Sequence, residues 1–352
     1  MSFGMTRGQS GALGYVRAVA STRRAEALAR IGDDVDIEGV CAAIRGHGRV
    51  TLNFHPDRVL ADGRTVAEAL AADERYRSQF ETQISNGGLS AYPGGDRDVW
   101  EHHLFGAAYH DGTAEPADRP KYGALNLFNH PDGGAPRFGS CHLRLRPAVN
   151  AWSTFTFGDS HLGPADVGTI DAFLPVLAAL FEDVRTTGTA LGVPVDDLQQ
   201  RLCALVSAPV GADESMAPSR SLDHYIEAQV HGPVLLAEHA EAFVLDPSFR
   251  DTRSAQFVQA AAARAGIGVE WNCGFEMSVE QVPNDFRGAE MPAFARAVAD
   301  RVEGGGRLDA AIVGRAAVSV AHDPSAWDGW DEPLQLVKYL WHILVAYGEP
   351  AG

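Results

Sequence analysis

Cysteine is scarce in this sequence, and its cysteines do not occur in any spacing that would pair them. The four residues are Cys41, Cys141, Cys203 and Cys273, and no CxxC pair occurs in the 352 residues. A disulfide framework or a four-cysteine zinc site is therefore not expected, and reduced thiols in a cytoplasm fit best. The sequence also lacks a GxGxxG after a strand and a GxxxxGK[ST], so it predicts neither a Rossmann fold nor a P-loop.

Basic residues and long apolar runs are also few. Only 29 basic side chains stand against 46 acidic ones, a formal charge of −17, which argues against general binding of nucleic acid. No apolar run reaches the ~18 to 20 residues of a membrane helix. Residues 1–30 lack the apolar stretch of a signal peptide, and we therefore expect a cytoplasmic protein with no membrane partner. The hydrophobic content of 45% is typical of a globular chain.

The periodicity of apolar residues predicts an α+β fold. Alternation predicts strands near 50–55, 122–127, 140–146, 153–157 and 225–231. Helical spacing occurs over 12–46, 65–84, 165–206 and most of the chain after 253. We therefore expect a helical N-terminal segment at 1–46 and a core at 47–253 with a helical insertion at 164–220. A helical C-terminal region at 254–352 is expected to pack on that core.

The strand at 225–231 contains the clearest group of reactive side chains. Strand geometry puts Glu227, Gln229 and His231 on one face, ~6.6 Å apart. A carboxylate, a carboxamide and an imidazole in a row can hold a polyhydroxylated ligand. Taken alone, however, such a triplet is more often the solvated face of an edge strand.

Other candidates lie where a predicted strand or helix ends. His55 and Arg58 follow the first strand, where the imidazole can bind a ribose or amide and the guanidinium a phosphate. A capped turn is an equal alternative for these residues. Gly88 belongs to a glycine-rich loop that permits close approach to a ligand, or that simply ends a helix. Tyr122 can stack on a planar ring or can belong to the core.

Several histidines suggest a different chemistry. His102, His103 and His110 follow Asp96, and histidine with aspartate is a common set of zinc or iron ligands. Neither HExxH nor another tight metal-binding spacing is present, and an exposed helical position explains the histidine pair more simply. A metal-dependent hydrolase that uses this cluster, with His55, is the alternative function.

The order of these features resembles the ADP-ribosyltransferase superfamily. In one branch a first-strand His holds the nicotinamide ribose, a Gly-Leu segment leads towards a Tyr that stacks on nicotinamide, and a late-strand Glu completes the site. The matching residues are His55, Gly88, Leu89, Tyr122 and Glu227. The resemblance covers roughly residues 48–250 and implies a split β-sheet core. Here the His lies in His-Pro-Asp-Arg rather than His-Gly-Thr or His-Gly-Ser.

The other branch of that superfamily uses Arg, Ser-Thr-Ser and Glu-x-Glu. Arg58 or Arg144, then the segment beginning at Ser153, then Glu227 with Gln229, can imitate that layout. Gln229 does not follow the usual Glu-x-Glu order. Both branches therefore stay open at this point.

Nearly the full chain also resembles the bacterial family DUF3626, to which no established activity is attached. The resemblance rests on four segments: 54–58 (FHPDR), 79–88 (QFETQISNGG), 119–125 (RPKYGAL) and 138–143 (FGSCHL).

The transferase resemblance implies that NAD is the substrate. The nicotinamide–ribose bond would be cleaved and ADP-ribose transferred to an unknown acceptor or to water, in a housekeeping or toxin-like role. Glu227, Gln229 and His55 would be catalytic. His55, Arg58, Gly88, Leu89, Tyr122, Arg144 and Ser153 would bind NAD, and no metal would be needed. A catalytically inactive binding module on the same fold is a further alternative.

Overall fold

The computed structural model describes residues 4–83, 91–207, 217–302 and 305–351. Three helices precede the first strand: α1 Arg7–Thr22, α2 Arg24–Ile31 and α3 Ile37–His47. The side chain of Thr6 accepts the backbone N–H of Gln9, and the Gln9 side chain accepts that of Thr6. This reciprocal cap satisfies two donors that the first turn of α1 leaves free. The N-terminal region is helical, as its periodicity predicts.

Fourteen strands occur among the described residues. They are β1 Arg49–Phe54, β2 Arg75–Tyr76, β3 Lys121–Asn126, β4 Cys141–Leu145, β5 Ser153–Phe157, β6 Val167–Thr169, β7 Thr189–Ala190, β8 Val193–Pro194, β9 Ile226–Val230, β10 Val234–Leu235, β11 Ala240–Leu245, β12 Gly268–Trp271, β13 Met277–Ser278 and β14 Arg307–Leu308. Eight of them form one sheet in the order β12-β11-β4-β1-β3-β9-β5-β6. Every neighbouring pair in that sheet is antiparallel except β11 and β12.

The remaining helices surround this sheet. They are α4 Val66–Asp73, α5 Gln79–Thr82, α6 Asp96–Leu104, α7 Leu174–Thr187, α8 Leu198–Cys203, α9 Leu236–His239, α10 Arg253–Ala265, α11 Met291–Arg301, α12 Ala310–His322 and α13 Pro333–Tyr347. α2 packs on α7, α4 on α10, and α12 on α13. This confirms an α+β arrangement, whereas the transferase-like form of the core stays a prediction. No helix in the described ranges is both long and apolar enough to cross a membrane.

The two faces of the sheet differ in chemistry. Leu52, Leu143 and Phe243 lie in register on one face and belong to the main apolar core. The other face contains Thr51 and Glu227, each of which pairs with Ala124. Both faces are covered, so all residues of β1, β4 and β9 are buried. The polar side chains of the second face must therefore find partners within the protein.

Two strand predictions need correction. The alternation in β1 predicts a half-buried strand, but β1 lies between β3 and β4 and is buried on both faces. The triplet at 227–231 is more typical of a solvated edge, yet β9 lies between β3 and β5, and Glu227 is only 5% exposed. Both errors arise because sequence alternation shows which residues share a face but not what covers that face.

Three helical predictions also differ from the structure. The helix expected at 65–84 stops at Glu74, which adopts a left-handed φ of 53°, and β2 then pairs with β10. The insertion at 164–220 is only partly helical, because β6 joins the large sheet and β7 pairs with β8. The C-terminal region beginning at 254 is mostly helical, as its periodicity predicts, but it also contributes β12 to the same sheet.

Candidate functional site

A cavity of about 240 Å³ lies over the polar face of the sheet and is the candidate site. We call it the cleft. Its walls come from the end of β1, from β3 and β9, and from helices α6, α12 and α13. The charged and aromatic side chains that line the cleft include His55, Asp57, Arg58, Arg97, Trp100, Tyr122, Arg137, Asp159, Glu227, Lys338 and Trp341. Four residues that the sequence singles out, His55, Arg58, Tyr122 and Glu227, therefore share one cavity.

Glu227 is the buried carboxyl group of the cleft. Its Oε1 accepts a hydrogen bond of 2.8 Å from Gln229 Nε2, and its Oε2 accepts one of 3.3 Å from the backbone N–H of Ser160. Burial, with a contribution from the nearby Asp159 carboxylate, raises the pKa of Glu227 to about 7. Glu227 can therefore gain or lose its proton near neutral pH, which is typical of carboxyl groups that take part in catalysis.

Tyr122 forms the aromatic wall beside Glu227. Its hydroxyl donates to Glu101 Oε1 at 2.8 Å, and the guanidinium of Arg97 lies 4.2 Å from its ring centroid. Arg97 is also 4.5 Å from the ring centroid of Trp100, so it lies against both aromatic rings. Burial and the Glu101 carboxylate keep the pKa of Tyr122 well above its usual value. Tyr122 is therefore a fixed, neutral aromatic surface.

The opposite end of the cleft contains His55, Asp57 and Arg58. Burial and the charge of Arg58 lower the pKa of His55 to about 3, so its imidazole is neutral. Its ring meets Trp341 edge to face at 5.3 Å. Burial raises the pKa of Asp57 to about 7. No described residue forms an ion pair or hydrogen bond with the Arg58 guanidinium, so this cation can bind an anionic ligand.

The register of the sheet separates these two ends. Glu227 pairs with Ala124, and Ala124 pairs with Thr51, four residues before His55, which directly follows the end of β1. Strand and sheet spacings then put the Cα atoms of Glu227 and His55 roughly 16 Å apart. The two residues therefore project into the cleft from well-separated points of its wall.

Two other predicted ligand-binding residues lie outside the cleft wall. Arg144 is held by Glu270, with a shortest N–O distance of 2.5 Å, and by Glu241 at 3.2 Å. The hydroxyl of Ser153 is buried and donates to the carbonyl oxygen of Val149 at 2.9 Å. Both groups therefore already have protein partners away from Glu227. The predicted Gly88 and Leu89 lie outside the described residues.

Sequence reasoning missed several residues that line the cleft. Arg97 and Trp100 are on α6, whose sequence draws attention to its histidines instead. Lys338 and Trp341 are on α13, where apolar spacing predicts only core packing. The indole N–H of Trp341 donates to the carbonyl oxygen of Pro136 at 2.7 Å. An Arg three residues before a Trp on one helix is the one local signal that can suggest a stacked pair.

The histidines of α6 lie in a cluster of rings. His102 is 4.8 Å from His110 and 5.3 Å from His103 between ring centroids. His110 Nε2 lies 2.9 Å from Asp98 Oδ1. Within the part of the chain that the structure describes, no group of three or more His, Cys, Asp or Glu side chains is placed to hold a metal ion.

The fold and the cleft together define a mixed α/β protein with a cavity of about 240 Å³ over its central sheet. The chain belongs to the family described as "Protein of unknown function (DUF3626)", whose model matches residues 49–347. The resemblance to this family in the sequence is thereby confirmed. Comparison with curated proteins finds no match. Helices α1 to α3 precede the matched region.

Proposed function

We propose that this protein cleaves the nicotinamide–ribose bond of NAD and transfers ADP-ribose to an acceptor or to water. The observation that carries the proposal is the placement of Glu227, with its pKa near 7, in one cleft with the Tyr122 ring and the cation of Arg58. These are the three groups that such a reaction needs: a carboxylate for the ribose, an aromatic surface for nicotinamide and a cation for the diphosphate. His55, Tyr122 and Glu227 also follow the sequence order of the first transferase branch. Arg144 and Ser153, which would belong to the second branch, do not line the cleft.

The chemistry assigned to Glu227 is electrostatic. When the bond between the nicotinamide nitrogen and the ribose C1′ breaks, its electron pair leaves with nicotinamide, and C1′ becomes cationic. The ionised Glu227 carboxylate stabilises that charge and accepts a hydrogen bond from the ribose 2′-hydroxyl. An acceptor oxygen or nitrogen, or water, then bonds to C1′ and releases a proton. Because the positive charge exists mainly in the transition state, this carboxylate lowers the barrier more than it strengthens substrate binding.

The separation of His55 from Glu227 favours a role for His55 other than the one the resemblance implies. Because sheet spacings put the Cα atoms of His55 and Glu227 roughly 16 Å apart, we propose that the two side chains bind different parts of NAD. We assign His55 and Arg58 to the ADP half of NAD, and Glu227 and Tyr122 to the nicotinamide half. The resemblance to the transferases implies instead that the first-strand His holds the nicotinamide ribose, so this assignment departs from their pattern.

The test is release of nicotinamide from NAD by the purified full-length chain, measured by chromatography with and without a cell extract that supplies acceptors. The Glu227→Gln variant keeps the shape of the side chain and is expected to lose at least 100-fold in kcat, the scale of one lost electrostatic contact to a transition state. Glu238→Gln is the matched control, because Glu238 is exposed and makes the same change of charge.

Binding is measured separately from cleavage. A carbocyclic NAD analogue, which cannot form the ribosyl cation, is titrated into the wild-type chain by calorimetry. We expect the analogue to bind wild type and Glu227→Gln within a few-fold of each other. Absence of both nicotinamide release and analogue binding would falsify the proposal.

A further inference from the structure

Behind Glu227, away from the cavity, four more side chains form a continuous series of hydrogen bonds across β9 and β5. The Tyr109 hydroxyl lies 2.6 Å from His231 Nδ1, and His231 Nε2 lies 2.9 Å from the hydroxyl of Thr154. That hydroxyl is 2.6 Å from Gln229 Oε1, and Gln229 Nε2 is 2.8 Å from Glu227 Oε1. All five side chains are almost completely buried, so water does not compete for these contacts.

The donor and acceptor capacities of these groups fix one direction for the whole series. An ionised carboxylate only accepts, so Glu227 must receive a hydrogen from the Gln229 amide. The amide oxygen of Gln229 then accepts the single hydrogen of the Thr154 hydroxyl. Thr154 can therefore only accept from His231, which places the imidazole hydrogen on Nε2.

The remaining nitrogen of His231 completes the series. Burial and the nearby Lys121 charge lower the pKa of His231 to about 3, so its imidazole is neutral and Nδ1 has a lone pair. The Tyr109 hydroxyl must then donate to Nδ1. Four donors consequently point the same way, and each polarises the next towards the carboxylate.

We propose that Tyr109, His231, Thr154 and Gln229 are positioning residues that form a one-directional hydrogen-bond chain, which orients the Glu227 carboxylate for the cleft and stabilises its ionised form. The chain fixes one carboxylate oxygen through Gln229. Among the described residues, the second oxygen has one hydrogen-bond partner, the backbone N–H of Ser160 at 3.3 Å, and it is the oxygen left for a ligand. The catalytic part of this inference rests on the proposed function, but the hydrogen-bond direction does not.

Other charged groups also face the hydrogen-bond chain, and none of them is substituted in the test. Those that influence Glu227, His231 or Tyr109 are Arg97, Asp159, Lys121, Glu101, Arg119 and Asp118. Substitutions are therefore confined to uncharged members of the chain. Thr154→Val removes the central hydroxyl with little change of shape, and Thr154→Ser restores it.

Thr169→Val is the matched control. Thr169 lies on β6 directly opposite Thr154, and is equally buried. Its hydroxyl has no hydrogen-bond partner among the described residues. The same substitution therefore removes a hydroxyl beside Thr154 without removing any hydrogen bond of the hydrogen-bond chain.

The first readout is the tautomer of His231, taken from ring ¹⁵N chemical shifts at pH 8.5 and assigned by comparison with His231→Asn. We expect a neutral ring with its hydrogen on Nε2. A hydrogen on Nδ1, or a charged ring, overturns the proposal. This measurement requires no NAD.

The second readout is the titration of Glu227, followed by ¹³C NMR of labelled glutamate carboxyls and identified by Glu227→Gln. Thr154→Val is expected to raise the Glu227 pKa by half a unit or more and to slow nicotinamide release about fivefold in kcat, the effect of one hydrogen bond. Thr154→Ser should restore both, and Thr169→Val should change neither. If the pKa of Glu227 is the same in Thr154→Val as in Thr169→Val, the hydrogen-bond chain does not position Glu227. If the wild-type protein cleaves no NAD, the proposed function fails. The His231 tautomer and the Glu227 titration then still test whether the hydrogen-bond chain exists and positions Glu227.

Discussion

The protonation of Glu227 sets the pH dependence that the proposed reaction should show. The carboxylate is the active form, and burial raises its pKa from 4.5 to about 7. Below that pKa the ionised fraction falls tenfold per pH unit, so we predict that kcat/KM rises with pH and levels off above about 7. The measurement is the initial rate of nicotinamide release between pH 5 and 9.

A second buried carboxyl group of the cleft provides the control for that profile. Burial also raises the pKa of Asp57 to about 7, but Asp57 lies at the far end with His55 and Arg58. The profile of Asp57→Asn should keep its acid limb, and the residual rate of Glu227→Gln should lose it. If the acid limb disappears in Asp57→Asn instead, the pH dependence comes from Asp57, and the assignment to Glu227 is wrong.

The same raised pKa makes a prediction about stability. Folding favours the protonated form of Glu227, so its contribution is fully present below the unfolded pKa near 4.5 and is lost as pH rises through about 7. The loss is at most about 3.5 kcal/mol, because one pKa unit corresponds to about 1.4 kcal/mol. Glu227→Gln should therefore gain stability relative to wild type between pH 5 and 8. Urea denaturation of wild type and Glu227→Gln at pH 5 and pH 8 measures the difference. An equal change in the free energy of unfolding of the two proteins between these pH values would contradict the prediction.

The sequence predicts which of these residues share a face but not how they are surrounded. Alternation alone places Glu227, Gln229 and His231 together, and in the structure Gln229 bonds Glu227 directly and is joined to His231 through Thr154. The Gln229 and Thr154 side chains meet because β9 pairs with β5, whose residues lie about seventy positions earlier. Tyr109 lies in a turn after α6 and has no periodicity that could link it to His231. Contacts of this range depend on tertiary pairing, which no local pattern specifies.

At the level of elements, helix α1 closes the far end of the hydrogen-bond chain although it lies outside the family match. α1 contributes Ala12 and Val16 to a small apolar cluster with Phe105 and Tyr109. The Cα of Gly8 packs so closely that an added Cβ would lie 3.1 Å from both the carbonyl oxygen of Ala108 and the Tyr109 ring. α1 therefore supports the position of Tyr109.

This contact predicts different effects for one substitution at two glycines of α1. Gly8→Val must displace the Tyr109 ring, and we expect it to lower the free energy of unfolding by about 1–3 kcal/mol, the usual cost of overpacking. Gly14→Val should have little effect, because no atom lies within 4 Å of a Cβ at Gly14. Urea denaturation of the two variants measures the difference. Equal stabilities would show that α1 does not press on Tyr109.

The sequence predicts the ends of strands and helices correctly where the local residue pattern itself changes there. β5 has the expected bounds, Ser153–Phe157, and β4 begins and ends within one residue of the predicted strand. The helix from 65 was predicted too long, because an apolar stripe continues past Glu74. β2 follows instead and pairs with β10, about 160 residues later in the chain. A two-residue ladder of that range leaves no signal in the local sequence.

At the level of the whole molecule, the distribution of charge matters more than its sum. The chain has a formal charge of −17, yet the described lining of the cleft has six basic side chains and three acidic ones. Two of the acids, Asp57 and Glu227, have a pKa raised to about 7, which further reduces the negative charge there. Some of the basic side chains have protein partners, such as Arg75 with Glu81 and Arg77 with Asp62 and Asp73. The lining therefore has more basic than acidic side chains although the protein as a whole is acidic, and this balance favours an anionic ligand.

Arg58 carries the final prediction, because its guanidinium lines the cleft with no ion-pair partner among the described residues. If it binds the diphosphate of NAD, Arg58→Ala should weaken binding of the carbocyclic analogue about tenfold or more, the range for a hydrogen bond to a charged group. Arg296→Ala is the control, since Arg296 is exposed on α11 and its loss changes the net charge equally. Calorimetric titrations at 50 and 300 mM NaCl add a second comparison. Salt should weaken binding to wild type and to Arg296→Ala more than to Arg58→Ala, because a local cation attracts the ligand through a field that salt screens. Equal losses of affinity in the two variants would instead assign the attraction to net charge, and Arg58 would then have no direct contact with the ligand.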